Sequence, residues 1–447
     1  MRRLWGLALL GAGLIVCIVA GTQTRLPDDV GGMTRERTVA YVVAALMAGV
    51  VYACGVVLCR RAGVGGRGVW IVLLVAALAR ALTFWPPPLQ STDIYRYVWD
   101  GKVQWAGINP YRFIPADPAL QPLRDEGVGA RALYPNINRA GTAPTIYPPV
   151  AQAVFAVSAF VWPGLWGVKA ALLLFDGLAI GGALFLLRLA HLPAERVLIY
   201  AWNPLVIWEF AGGGHIDAAA TGLVALALVL SVCLRPGWSG AVLGLAILTK
   251  LLPAALFPAI WRRWDWRAPA ACAGVILAGY ACYAGAGLKV FGYLPGYASE
   301  ERLGQDGVFL LRVWSSFGTV PYWAGPAYAI AVLLVLACMA AWISARPGWS
   351  GPPAVRAIVT ARDALWLGTA SLVALSPHYP WYLAGLALPA VLVPSIAVLW
   401  LTVAAPVLYL DPRHDQVIWP SIIYLPFAAL LWFDLRRPKE TAHAGLA

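Results

Sequence analysis

Residues 85–149 read WPPPLQSTDIYRYVWDGKVQWAGINPYRFIPADPALQPLRDEGVGARALYPNINRAGTAPTIYPP, and long apolar runs lie on both sides of them. Within this stretch Asp93, Asp100, Asp117, Asp125 and Glu126 stand beside Arg96, Lys102, Arg112, Arg124, Arg131 and Arg139. Tyr95, Tyr97, Trp99, Trp105, Tyr111, Tyr134 and Tyr147 run through it. Such aromatics settle where acyl chains meet headgroups. A long polar loop with its own acids and bases, carried between apolar helices, is where binding and chemistry concentrate.

The flanking sequence identifies the solvent. Of the 447 residues, 61% are hydrophobic and 12% charged, and the mean hydropathy is +0.71. Soluble domains carry about 25% charged residues, so this chain belongs in a bilayer. Its net charge of +12 calls for no nucleic acid once it is located. If the spans alternate from a cytoplasmic Met1, the inner segments hold seventeen Arg and Lys against five Asp and Glu. That excess on one face is the positive-inside pattern. The expected location is the plasma membrane, with both termini cytoplasmic and the 85–149 loop outside.

Cys17, Cys54, Cys59, Cys233, Cys272, Cys282 and Cys338 fall in apolar runs, without zinc-site spacing; they read as small buried side chains. The start MRRLWGLALLGAGLIVCIVAG lacks a clear cleavage site and reads as a retained first span. Further spans are expected near 39–59, 69–85, 168–190, 197–211, 217–234, 269–288, 326–345, 364–376, 380–394, 396–410 and 417–433. Residues 149–163 are too short for a full crossing and read as a juxtamembrane element. Residues 242–261, VLGLAILTKLLPAALFPAIW, begin and end near arginines, so they read as a broken or re-entrant element with Lys250 pushed toward the middle or outer half of the membrane. About twelve crossings plus two partial elements result. The hexapeptide RPGWSG at 235–240 and 346–351 has flanks that do not align, and marks two similar helix stops rather than a repeat.

Several polar groups stand out. A helix starting at Asp93 would turn Tyr95, Val98, Trp99 and Trp105 toward lipid and bring Arg96 near Asp93. Asp93 is then either a helix-starting acid that caps or a working carboxylate. Asp100 suits a turn or a partnership with Lys102. Three glycines precede His215 and Asp217 at the outer mouth of a helix, where backbone can approach a ligand closely. Arg80, Lys169, Asp176, Glu209 and Lys250 sit inside apolar runs, which marks cavities or buried partners. Lys169 and Asp176 suit an internal ion pair. Lys250 has no acid nearby in sequence, which fits an anionic ligand. Ser376–Tyr382 (SPHYPWY) is a second aromatic cluster returning to the outer face, with an interfacial belt as its other reading.

Taken in order, these pieces resemble the GT-C glycosyltransferases, multi-span enzymes that take a sugar from a polyprenyl phosphate. STDIYRYVWDG followed by GINPY is similar to the first-loop motif of bacterial polyprenyl-phosphate-mannose-dependent mannosyltransferases. TIYPP, VKAALLLFDGL, WNPLVIWEFAGGGHIDA, LAILTKLLP and SPHYPWYL are similar in order to the mannosyltransferase that starts GPI-anchor glycans. The resemblance runs from about Pro86 to Val393. It implies an all-α polytopic GT-C fold whose first outer loop, 86–148, is catalytic. The loop would follow three spans in 1–85 and precede a central module in 149–288, a second outer loop in 289–325 and C-terminal spans in 326–447.

The resemblance further implies Asp93 as catalytic base and Arg96, Tyr97, His215, Asp217, Lys250, Arg302, His378 and Tyr379 as substrate-binding residues, with Arg312 a further phosphate candidate. Many relatives pair two acids in this loop, whereas here Ile94 follows Asp93. No cofactor is therefore expected, and a divalent metal is left open. The expected partners are a polyprenyl-phosphate sugar donor, a glycolipid or glycan acceptor and membrane lipids, with no nucleic acid. The donor would be β-linked, the product α-linked and the reaction inverting. The other readings open at this point are a transporter or flippase of lipid-linked saccharide, and a lipid-diphosphate-dependent glycan polymerase or ligase.

Overall fold

A computed structural model describes residues 1–24, 33–62, 64–126, 133–303, 305–346 and 351–436. Helix makes up 74% of the chain, with no strand among the described residues. Chain in a bilayer must satisfy its backbone polar groups internally, and helices do so within one segment.

Three helices lead in: α1 (Arg2–Thr22), α2 (Arg35–Ala62) and α3 (Gly68–Phe84). The polar loop then folds around α4 (Asp93–Trp105). Next come α5 (Pro149–Val161), α6 (Leu165–Leu189), α7 (Asp217–Val232), α8 (Pro236–Ile247) and α9 (Arg267–Ala281). A short α10 (Leu294–Glu300) lies in the second loop, before α11 (Ala324–Ala345), α12 (Pro353–Leu375), α13 (Ile396–Ala404) and α14 (Ile418–Arg436). Proline sits in the first turn of α5, α8 and α12, where no backbone N–H is needed.

Among the described residues, six helices are long and apolar enough to cross a membrane, or up to eight if each of two bent pairs is one span. That is fewer than the about twelve crossings read from hydropathy, because several apolar runs are broken. The run 197–211 splits at Asn203–Pro204 and continues as a π-helix, Ile207–Gly212. The run 380–394 holds only two short helices, Trp381–Ala384 and Ala387–Ala390. Conversely, the span read as 364–376 begins at Pro353. Large apolar side chains such as Leu9, Val16, Leu74, Leu333 and Leu334 point outward. An apolar exterior on this scale suits lipid, not water, and the chain is a multi-pass membrane protein.

Close backbone approach holds neighbouring helices together. A Cβ on Gly222 would lie 2.3 Å from the Phe175 carbonyl of α6, and one on Gly240 would lie 2.1 Å from the Ala268 carbonyl of α9. Small residues at such crossings replace the hydrophobic drive that lipid does not supply.

The stretch 236–260 forms an arch. At its feet, the Ser239 hydroxyl donates to the Ala227 carbonyl (2.8 Å) and the Ser231 hydroxyl to the Ile260 carbonyl (3.4 Å), both near the C-terminal end of α7. At its top, Lys250 meets Asp217 at the other end of α7. Sixteen helical residues span about 24 Å. The stretch therefore turns back on itself, and it delivers Lys250 to the end of the bundle where α4 lies.

Several local expectations are corrected. Trp99 faces away from lipid: it is 1% exposed and packs with Val103, Leu120 and Ile137 in a small core beneath the loop. Only Trp105 of that set is exposed. Asp176 does not pair with Lys169. It takes Arg80 and the Tyr200 hydroxyl, while Lys169 donates to the carbonyls of Phe84 (3.0 Å) and Pro86 (2.7 Å). Asp100 accepts from Arg96 and Gln152, and Lys102 turns instead to Glu126. Cys59 and Cys272 are buried as expected, but Cys54, Cys233, Cys282 and Cys338 lie on outward surfaces; all seven are free thiols. Arg131, most of the second RPGWSG and the tail from Arg437 lie outside the described residues.

Candidate active site

A cavity of about 640 Å³ opens at the loop end of the bundle. Its walls come from the start of α4, residues 138–148, the start of α7, the top of the 236–260 arch, the second loop and the segments 375–382 and 408–414. Of the residues singled out in the sequence, Asp93, Arg96, Tyr97, Asp217, Lys250, His378 and Tyr379 line it.

Asp93 opens α4, yet its side chain does not cap the helix: Thr92 occupies the cap position with no side-chain bond. The Asp93 carboxylate instead accepts from the Asn138 side chain and faces the cavity, 19% exposed. A cap would have drawn it back onto the first-turn N–H groups. Arg96 lies one turn on, but pairs with Asp100 (2.8 Å) and the Ala143 carbonyl (3.1 Å) rather than with Asp93.

Across the cavity, Lys250 Nζ lies 2.7 and 2.8 Å from the two Asp217 oxygens and 3.6 Å from the centre of the Tyr382 ring. The acid absent from the sequence neighbourhood of Lys250 thus arrives from α7. An ammonium has three protons to donate. Two of its hydrogen bonds go to Asp217, and the Tyr382 ring covers another side of it.

His215 is 1% exposed and sits behind the cavity wall. Its Nδ1 is 3.9 Å from Asp93 and its Nε2 is 3.3 Å from Glu209, while its ring stacks on Trp381 at 4.0 Å. Gly213 and Gly214 before it allow this close packing. Gly214 has φ +68°, and a Cβ there would lie 2.5 Å from Ile94 of α4. Glu209 projects from the π-helix and accepts from the Tyr409 hydroxyl at 2.9 and 3.0 Å. Isolated π-turns often mark functional sites.

The rim is aromatic and ionic. Tyr379 and Trp381 stack at 4.6 Å. Burial, then the nearby Glu301, push the Tyr379 phenol up to about 12, so it stays a neutral donor. Glu301 is buried, which works against its charge, but hydrogen bonding by His378 holds its pKa below the usual value. Arg139 clasps Glu300 from the loop side. Arg302 is not brought to this wall: it pairs with Asp306 and is half exposed. Arg312 is buried against the Asp306 carbonyl.

Beyond Lys250 a second, apolar cleft of about 100 Å³ shares Asp217, Lys250, Leu252 and Tyr382 with the cavity and is walled by Val224, Leu228, Leu256, Leu372 and Leu386. Among the described residues, no group of three or more His, Cys, Asp or Glu could hold a metal ion.

Sequence reasoning missed Asn138, Arg139, Glu300 and Glu301 as parts of one wall, since only folding brings the two loops together. Glu209 was flagged, but its link to Asp93 through His215 carried no sequence signal.

The family model for the alpha-(1->6)-mannopyranosyltransferase N-terminal domain matches residues 5–265, which contain Asp93, His215, Asp217 and Lys250 but not His378 or Tyr379. No curated protein and no solved structure matches the chain.

Proposed function

The chain belongs to the alpha-(1->6)-mannopyranosyltransferase family, and from that premise we propose that this membrane mannosyltransferase takes mannose from a polyprenyl phosphate and passes it to a glycan or glycolipid hydroxyl in the cavity. The observation that carries the reading is the placement of Asp93 and Lys250 on one cavity whose Lys250 side continues into an apolar cleft. A donor with a sugar, a phosphate and a prenyl chain needs those three environments in that order.

On this reading the phosphate lies against the Lys250 ammonium and the first isoprene units enter the cleft. Asp93 takes the acceptor hydroxyl proton as that oxygen bonds to mannose C1. The C1–O bond to phosphate breaks on the opposite face, and polyprenyl phosphate leaves with the bonding pair. The configuration inverts, so a β-linked donor yields an α-linked product. General base catalysis contributes roughly 10²–10⁴-fold, and a fixed cation stabilises charge growing on the leaving group. Arg96 and Tyr97 shape the wall beside Asp93, while Arg139, Tyr379 and His378 face the acceptor side. The reaction runs without a bridging metal, and the second carboxylate of this region, Asp217, serves Lys250.

Orientation follows the same logic. Arginines at helix ends such as Arg2 and Arg3 of α1 and Arg60 and Arg61 of α2 support an orientation with those ends in the cytoplasm. With the arginines cytoplasmic, the cavity opens on the extracytoplasmic side of the plasma membrane. Incubating purified protein with radiolabelled mannosyl phosphoryl polyprenol and a short mannan acceptor tests the proposal. Transfer to the acceptor supports it. Binding or translocation of lipid-linked sugar without transfer would instead support a flippase.

A further inference from the structure

Buried carboxylates persist only when hydrogen-bonded or paired with a cation. Glu209 has no water to turn to: its residue exposure is 3%. Among the described residues, the only basic group within 4 Å of it is His215, at 3.3 Å. Tyr409 supplies a neutral hydroxyl on the far side. The second nitrogen of the same imidazole points toward Asp93, 3.9 Å away. Both ring nitrogens are sealed from solvent, and neither has an aligned hydrogen bond. A movement of about 1 Å by Asp93 would close its side to hydrogen-bond length.

We infer that Glu209 and His215 form a buried carboxylate–imidazolium pair whose task is to position the Asp93 carboxylate and keep it ionised. The inference rests on the reading of Asp93 as base. A carboxylate poised beside an imidazolium stays deprotonated and turned toward the acceptor. Once Asp93 has taken the acceptor proton and become neutral, the Glu209–His215 pair remains charge-balanced, so no unpaired buried charge is left. His215 does not touch substrate: it lies behind the wall, with Trp381 stacked on its face.

The surroundings are specific. Facing His215 are Asp93 from α4, Glu209 from the π-helix and Trp381. Tyr41 and Tyr409 lie over the Glu209 side. Arg139, Tyr97, Tyr147 and Tyr379 sense the Asp93 charge at longer range, and Asp217 reaches Tyr97 and Tyr382 from α7. Lys250 is matched by Asp217, and Arg139 by Glu300. His215 is thus the one basic side chain within 4 Å of Asp93 among the described residues.

The test uses the full chain in detergent or nanodiscs with the same donor. His215→Gln should lower kcat on the order of 10- to 100-fold, the usual range for outer-shell partners, with little change in donor KM. The acid limb of its kcat–pH profile should move up by about 1 pH unit or more, because a carboxylate loses a cation at this range. Glu209→Gln keeps the shape and a group for Tyr409 to meet, yet removes the charge that holds the imidazole protonated. It should shift the limb in the same direction, whereas a purely structural role would lower yield or Tm and leave the limb in place. A folded variant of either kind with parent kcat and an unmoved limb overturns the inference.

A measurement independent of turnover uses ¹⁵N-histidine-labelled protein. The His215 ring should read as imidazolium near pH 7 in the parent and neutral in Glu209→Gln. A neutral ring in the parent overturns the inference even if transfer proceeds. Failure of the parent to transfer mannose, with His215 charged, overturns the functional reading alone.

Discussion

Lys250 reaches Asp217 across the gap between the arch and α7, with Nζ 2.7 Å from one carboxylate oxygen and 2.8 Å from the other. The two lie 33 residues apart in sequence, and each is mostly buried. The pair holds a mostly buried cation without an unbalanced charge, and on the proposed reading a donor phosphate would meet an ammonium already desolvated and oriented.

Removing the lysine alone therefore does two things. Lys250→Met should strand Asp217 and cost about 3 kcal/mol or more of stability, the scale for breaking a buried pair. It should also weaken donor binding by about 1.5–3 kcal/mol. Adding Asp217→Asn should recover much of the stability and none of the donor affinity, read by thermal unfolding and by donor binding to each variant. A double variant that binds donor like the parent returns Lys250 to a structural role.

Topology is checked by labelling single cysteines in a cysteine-free background in sealed cells. Leu120 is buried at 1% exposure, whereas Ala119 and Arg263 are exposed. Ala119→Cys should react with an impermeant maleimide from outside, and Arg263→Cys only after permeabilisation. The reverse pattern would invert the assignment of the site to the extracytoplasmic face.

Acid should loosen the cavity rim. Burial, then the neighbouring His378, hold the His414 pKa down to about 4, against an ordinary value of 6.5. A base whose folded pKa is depressed binds its proton later in the folded state than in the unfolded one. Stability is therefore full above about pH 6.5 and falls as pH drops toward 4. Glu301, held below the usual carboxylate value, adds stability above its unfolded pKa that is lost below it. Melting temperature measured from pH 7 to 4.5 should fall, and should fall less in His414→Gln. Equal losses in both proteins would remove His414 from the explanation.

Much of this was legible in the sequence because membrane helices obey one-dimensional rules. Hydropathy located the long apolar helices, and the prolines within 242–261 agreed with a stretch that is not one straight helix. Pairings were not legible, since they join residues distant in sequence. Nothing near Arg80 announces Asp176, and nothing near Lys250 announces Asp217. Periodicity turned Trp99 toward lipid because it cannot see that Phe113, Leu120, Leu123, Leu133, Tyr134 and Ile137 pack with α4 and build a second core there. The break at Asn203–Pro204 was visible as a proline, but the π-helix that aims Glu209 at His215 depends on packing against α3 and α6.

Metal dependence offers a further check. The residue after Asp93 is Ile94, which is fully buried against the bundle core, and Asp217 is engaged by Lys250. Protein stripped with EDTA and assayed in divalent-free buffer should transfer mannose at the parent rate. Lost activity restored by magnesium or manganese would contradict the metal-free reading of the site.

The most direct test replaces one atom at the proposed base. Asp93→Asn preserves the shape of a side chain that faces the cavity and does not cap its helix, while removing the proton acceptor. The folded variant should bind mannosyl phosphoryl polyprenol like the parent and transfer sugar roughly 10²–10⁴-fold more slowly. Turnover at half the parent rate or better would show that Asp93 is not the base.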